Sequence, residues 1–165
     1  EFVVRLAVGI PVGAPVRVPM PVEQRCVQEQ CSLVLSDHQV VVRAVGFGGG
    51  ITPLKTPFEP EGKEIKKALE TLYSRMRSDR RFGVIHQPPG ATKLDEVDGD
   101  HVGSKEVREL IEDKDFELVL TGHIHESRGR QVIEDTLVIN PGPVLKGYYA
   151  TADTEDGLEV EMKQI

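Results

Sequence analysis

An alternation constrains this chain more than any other feature: short apolar runs that stop abruptly at glycine or histidine, separated by stretches with a helical period. Val40-Val41-Val42 through Val45 and Phe47 reads as a strand, ended by Gly46, Gly48, Gly49 and Gly50. A loop with Pro53, Pro57 and Pro60 follows. Ile65, Ala68, Leu69, Leu72, Tyr73 and Met76 then recur at i, i+3, i+4, i+7, i+8 and i+11, one apolar face of an amphipathic helix with its Lys/Glu face in solvent. Phe82-Gly83-Val84-Ile85 is a second strand, ending at His86 and stopped by Pro88-Pro89. Ser104 is placed to cap a second helix with Val107, Leu110 and Ile111 inside. Phe116, Leu118, Val119 and Leu120 form a strand that ends at Gly122-His123. Leu137-Val138-Ile139 forms another, closed by Asn140-Pro141-Gly142-Pro143. Tyr148-Tyr149-Ala150 and the alternating Leu158, Val160 and Met162 give two final strands. Strands alternating with helices, then strands alone, predict an α/β architecture, a layered sandwich flanked by helices.

Residues 1–32 differ. Pro11, Pro15, Pro19 and Pro21 punctuate a Val-rich stretch without a usable period, which argues against a regular helix or a central strand. We read 1–32 as an irregular segment, either a native arm or a non-native or truncated leading stretch, and 33–165 as the structured part. With 165 residues, 39% hydrophobic and 28% charged, the chain fits one ordinary globular domain. Two cysteines, Cys26 and Cys31, are too few for a disulfide framework and match no zinc spacing, which points to the reducing cytoplasm. No apolar run approaches the roughly 20 residues of a membrane span, and the leading stretch lacks the apolar segment of a secretory signal. A formal charge of −7 argues against general affinity for nucleic acid or anionic membranes. It does not exclude a phosphate ester, because a metal reverses the local field whatever the surrounding surface carries. The sequence holds no signal of oligomeric state.

The histidines carry the chemistry. His86 and the pair His123/His125 each follow directly on a short apolar strand, and in open α/β sheets ligands gather just beyond the carboxyl ends of strands. Neighbouring strands would bring the three imidazoles to one sheet edge, and neutral imidazole ligates zinc, manganese and iron. In a tight turn, His123 and His125 would face different sides and serve two metals about 3.5–4 Å apart. A bare His-x-His also fits ordinary surface polarity or a one-metal clip.

Thr121-Gly122-His123-Ile124-His125, the earlier Val84-Ile85-His86-Gln87-Pro88-Pro89 and the later Asn140-Pro141-Gly142-Pro143 occur in an order that resembles the C-terminal half of the calcineurin-like metallophosphoesterases, closest to their small prokaryotic and archaeal members. Gly46-Phe47-Gly48-Gly49, Thr56-Pro57-Phe58 and His101-Val102-Gly103-Ser104 add to the likeness, which spans roughly 33–163. The resemblance implies a calcineurin-like phosphoesterase fold lacking its N-terminal βαβ portion. It implies His86 and His123 on one metal and His125 on another, drawn from Mn, Fe or Zn. The reaction would be hydrolysis of phosphate mono- or diesters by a water activated between the metals. Read from its own position, His101 lies in the long loop between His86 and the Ser104 helix, where it is placed to bind a substrate phosphate; an ordinary solvated loop histidine fits the same position. The family's Asp-x-His, Gly-Asp and Gly-Asn turns do not occur before His86, and Asp37-His38 lacks the intervening residue. The site is therefore expected to be incomplete in this chain, with weak metal binding and little turnover. Two other readings fit the same residues: a catalytically inactive binding or scaffold protein on this fold, and an unrelated single-zinc hydrolase built on the three histidines.

Overall fold

The structure, a computed structural model, describes residues 4–6, 23–27, 30–36, 41–52, 59–154 and 157–165, with side chains from residue 44 onward. In chain order the elements are β1 (Val4–Leu6), β2 (Glu23–Val27), β3 (Gln30–Ser36), β4 (Val41–Phe47), α1 (Gly62–Tyr73), β5 (Arg80–Ile85), β6 (Glu96–Val97), β7 (Asp100–His101), α2 (Lys105–Asp113), β8 (Leu118–Thr121), β9 (Gly129–Ile133), β10 (Thr136–Asn140), a 3-10 turn (Val144–Lys146), β11 (Tyr148–Asp153) and β12 (Glu159–Gln164).

Seven strands form one sheet in the order β2-β3-β4-β5-β8-β10-β9. The inner four, β4, β5, β8 and β10, run parallel, while β2, β3 and β9 pair antiparallel at the flanks. Parallel neighbours need long crossovers, and α1 and α2 supply two of them. Period-two alternation along the inner strands splits their side chains between two cores. Val45, Ile85, Val119 and Val138 face the helices, meeting Ile65 and Leu69 of α1 and Val107, Leu110 and Ile111 of α2. Ala44, Phe82, Leu118, Leu120 and Ile139 face the other way, onto Ala152, Leu158, Val160 and Met162. Ala152, Val160 and Met162 belong to a second, three-stranded sheet, β1-β11-β12, and Leu158 immediately precedes β12. The result is the expected layered α/β sandwich: helices, mixed sheet, small antiparallel sheet.

Local chemistry explains where the helices begin. Ser104 Oγ accepts the Val107 N–H at 3.2 Å, a side-chain cap. The Glu61 N–H donates to Glu64 Oε2 at 2.9 Å at the head of α1. The two helices are tied by Lys66 Nζ to Glu109 Oε2 at 2.8 Å. No helix among the described residues is long and apolar enough to cross a membrane.

The structure differs from the sequence reading in three places. Strands β1 and β2 and the start of β3 fall inside the stretch 1–32, where the lack of side-chain periodicity predicted irregular chain. Both β1 and β2 are edge strands, which need only backbone pairing on one side. The prolines that argued against a central strand lie outside the described residues. Helix α1 ends at Tyr73, yet Met76 stays buried because two further turns, Arg75 N–H to Leu72 O and Met76 N–H to Tyr73 O, carry it back under the helix. Strand β9 and the small hairpin β6–β7 have no apolar run to announce them; Asp98-Gly99 at the tip of that hairpin is the turn dipeptide that could have given it away.

Candidate metal centre

Register places the carboxyl ends of the inner strands at one edge: Phe47 lies beside Ile85, Ile85 beside Thr121, and Leu120 beside Ile139. The residues that follow each strand therefore meet there. His86 continues β5 by one residue, its N–H donating to Phe47 O at 3.0 Å and its own carbonyl accepting from Gly122 N–H at 3.2 Å. Its backbone is thus held between the loops that leave β4 and β8.

His123 is at the apex of a tight turn, closed by Ile124 N–H to Gly122 O at 2.7 Å. Its φ is +65°, a left-handed conformation that costs a residue with a Cβ about 1–3 kcal/mol. In return the imidazole is turned onto His86. His123 Nδ1 lies 3.2 Å from His86 Nε2, and the rings meet edge-on with centroids 5.0 Å apart at 72°. The other nitrogen, Nε2, is 3.2 Å from the carbonyl of Ile51. A carbonyl only accepts, so Nε2 carries the proton and Nδ1 keeps its lone pair. Gly50 makes room for this: a Cβ there would sit 2.6 Å from both Cε1 and Nδ1 of His123.

Burial lowers the pKa of His86, and the neighbouring His123 and His125 lower it further. A neutral imidazole is what a cation requires. The 3.2 Å between Nε2 and Nδ1 also suits one ion: metal–nitrogen bonds of about 2.0–2.1 Å would meet at roughly 100°, within the range of tetrahedral and octahedral sites. The donation of His123 Nε2–H to a backbone carbonyl is the support that metal-binding histidines ordinarily have. The pair thus fits a divalent cation, with Nε2 of His86 and Nδ1 of His123 as donors.

His125, two residues on, is exposed. Among the described residues no three of His, Cys, Asp or Glu side chains come together as a metal-binding group. The structure thus brings two of the three expected ligands into contact, without the third and without a carboxylate. Asp37-His38 and Thr56-Pro57-Phe58 lie outside the described residues.

Buried amides lock the edge. Gln87 is fully buried; its Oε1 accepts Ile51 N–H at 2.7 Å and its Nε2 donates to Val102 O at 3.3 Å, joining the loops after β4 and before α2. Asn140 donates Nδ2–H to Ile124 O at 2.7 Å and accepts Gly142 N–H at 3.0 Å, so it shapes the histidine turn from behind. Arg128 is anchored through Nε to Pro141 O at 3.0 Å and lies 4.5 Å over the Tyr148 ring.

His101 lies on β7, with Nδ1 2.9 Å from Asp95 Oδ1. In the sequence Asp95 shares one charged loop with Lys93, Asp98 and Asp100. Those three are exposed, but Asp95 is fully buried, because its carboxylate accepts the N–H groups of Thr92, Gly103 and Ala91 and the Thr92 hydroxyl at 2.8–3.2 Å. Burial pushes its pKa up, but the Thr92 and Gly103 N–H groups, His101 and the Thr92 hydroxyl outweigh that and hold it below the usual value. Asp95, Gln87 and Gly50 were missed in the sequence, since nothing in a lone Asp, Gln or Gly signals burial.

Comparison with known proteins places this geometry in context. The family model for metallophosphoesterases of the calcineurin superfamily matches residues 28–165. A relative from Methanocaldococcus jannaschii, described as uncharacterized protein MJ1162, is 39% identical over 125 residues, covering 72% of this chain and 55% of that protein. The crystal structure of TT1561 from Thermus thermophilus is similar with a TM-score of 0.52 at 22% identity, over 75% of this chain and 53% of that one. GAP50, the anchor in the inner membrane complex of Plasmodium, is similar with a TM-score of 0.54 at 14% identity, over 88% of this chain and 51% of that one. The chain thus spans about half the length of the relatives it matches.

Proposed function

Because the chain belongs to the calcineurin superfamily of metallophosphoesterases, we propose that it carries part of a metal-dependent phosphoesterase site, in which His86 and His123 hold one divalent ion and His125 a second. The observation that supports this most is the 3.2 Å approach of His86 Nε2 to His123 Nδ1 at the carboxyl edge of the parallel strands. A bound pair of Mn, Fe or Zn ions would supply Lewis-acid stabilisation of a phosphoryl group and an acidified water. The chain's own part is to keep His86 neutral by burial, to fix the His123 tautomer through Ile51, and to hold both loops with Gln87 and Asn140. The substrate class is a phosphate mono- or diester, and the reducing cytoplasm is the compartment that two cysteines favour.

Mn²⁺ titration followed by paramagnetic broadening of histidine resonances tests the site directly. His86 and His123 should broaden first, His125 with them, and His123→Ala should abolish the effect. Uniform broadening with no preference for these histidines would overturn the assignment. Turnover of p-nitrophenyl phosphate esters by this chain is expected to be slight, since no carboxylate joins the imidazoles among the described residues. That same lack favours a second reading, a binding or scaffold protein on this fold. Full metal occupancy with robust turnover, lost in His123→Ala, would exclude it.

A further inference from the structure

Away from the histidine pair, a surface depression of about 430 Å³ is lined by Thr92, Lys93, Glu96, His101, Arg130 and Gln131, with Ala91 at its edge. Its wall is built with unusual care for an exposed loop. The Asp95 carboxylate beneath it is 0% exposed and already accepts four donors from Ala91, Thr92 and Gly103. Gly103 is needed for this packing, since a Cβ there would lie 2.8 Å from Asp95 Oδ2. The loop is thus fastened without any help from His101.

His101 nevertheless donates Nδ1–H to the same carboxylate at 2.9 Å, with its side chain 46% exposed. A half-exposed pair of this kind adds little stability. What it does is fix the ring and its tautomer, leaving Nε2 on the far side with no hydrogen-bond partner among the described residues. A buried carboxylate that orients a solvent-facing imidazole is an arrangement suited to binding or proton exchange. Two further groups on the same walls, the Lys93 ammonium and the Arg130 guanidinium, form no ion pair among the described residues, although the chain as a whole carries −7. Among the described residues, Glu96 is the single carboxylate side chain lining the depression. The backbone N–H of Lys93 engages Gln131 Oε1 at 2.9 Å, which pins the two walls together and leaves the Gln131 amide N–H₂ as another donor.

We infer that this depression is a metal-independent subsite for a phosphoryl group, bound by His101, Lys93 and Arg130 and positioned by Asp95. A phosphate monoester suits it in either protonation state of His101. Its oxygens accept from an imidazolium, and its monoanion donates an O–H to a neutral Nε2. Guanidinium and ammonium groups supply the charge-assisted hydrogen bonds that such an anion selects. Asp95 is a positioning residue; it does not touch the ligand.

The test uses the full chain stripped of metal with a chelator, and inorganic phosphate as the probe at constant ionic strength. Histidine-selective and amide NMR spectra should show saturable shifts at the His101 ring and at the Lys93 and Arg130 amides. His101→Gln and Arg130→Gln, both at exposed positions that the fold does not need, should each weaken binding about tenfold, the scale of a charge-assisted hydrogen bond. Arg77→Gln, an exposed cation elsewhere, should leave it unchanged. Asp95→Asn, if folded by its amide spectrum, should weaken phosphate and alter the His101 ring signals together. No saturable shift at His101, or unchanged affinity in both His101→Gln and Arg130→Gln, would overturn the inference. The absence of metal keeps the two proposals apart: phosphate binding without any Mn²⁺ site would remove only the metal reading, and the reverse only this one.

Discussion

Gly50→Ala isolates the histidine pair from the rest of the fold. The backbone at Gly50 needs no left-handed conformation, so alanine is conformationally allowed and the whole effect falls on His123. The new Cβ would stand 2.6 Å from Cε1 and Nδ1 and 3.1 Å from Nε2. Restoring ordinary contact requires the ring to retreat by about 0.8 Å, several times the ±0.2 Å that metal–ligand distances tolerate. Retreat breaks the contacts with His86 Nε2 and Ile51 O. Two hydrogen bonds on a half-buried ring are worth about 1–2 kcal/mol together, a fall in Tm of about 2–8 °C for a chain of this size. The loss in metal affinity should be larger, about 10–100-fold, the range found when the support of a ligand is disturbed. Mn²⁺ broadening of the His86 and His123 resonances, run beside thermal melts, reads both. If Gly50→Ala binds Mn²⁺ within about twofold of the parent while its Tm falls, the pair is a packing contact and the ligand assignment fails.

Three further outcomes follow from the geometry. Ser104→Ala removes the cap on Val107 N–H and should cost about 1 kcal/mol, or about 2–4 °C in Tm, with Mn²⁺ binding unchanged. Asn140→Ala leaves Ile124 O and Gly142 N–H without their buried partner; it should cost about 2–3 kcal/mol in urea unfolding and also weaken Mn²⁺ binding, because the histidine turn rests on it. Asp95 titrates below its ordinary value in the fold, so its contribution is present above the unfolded pKa of about 3.9 and is lost as pH falls through the lower folded value. Urea unfolding from about pH 6 down to about pH 2 should therefore show a steeper acid loss in the parent than in Asp95→Asn, and equal slopes would refute the assignment.

Much of the scaffold was legible because burial in this fold is periodic. The runs at Val41–Phe47, Phe82–Ile85, Leu118–Leu120 and Leu137–Ile139 became the four inner strands, and Ser104 capped α2 as its position predicted. The three histidines were legible as candidates because each follows one of those strands. What stayed hidden has a common physical character. β9 is an edge strand with alternate residues in solvent, and its sequence, Gly129–Ile133, has no apolar run to read. Asp95 and Gln87 are polar side chains buried by backbone partners that lie up to 36 residues away, and no local pattern encodes such partners. Gly50 matters only because of an imidazole that arrives from 73 positions later in the chain. Solvent-facing polarity and buried polarity look alike in a sequence; only the fold separates them.

Backbone strain supplies a second, independent pointer to the same loops. Four residues with side chains have left-handed φ among those described: Ala91, Asp98, His123 and Glu134. Asp98 and Glu134 open the two-residue connections of the hairpins β6–β7 and β9–β10, where such angles match the strand twist and need no other cause. No hairpin explains the other two. Ala91 at +56° aims its N–H, with that of Thr92, at the buried Asp95 carboxylate, and Arg108 holds its carbonyl at 2.8 Å. His123 at +65° aims its ring at His86. Unrelieved strain survives where the surrounding contacts over-determine a geometry, and such places gather at functional sites. In this chain it marks one turn on the histidine pair and one on the loop that orients His101. The strain at His123 also yields a sharp contrast. His123→Gly should recover part of the roughly 1–3 kcal/mol of backbone strain while removing the ring, so it should be more stable than His123→Ala yet equally unable to hold Mn²⁺. If His123→Gly proves less stable than His123→Ala in urea unfolding, the left-handed turn is not strained as the φ implies.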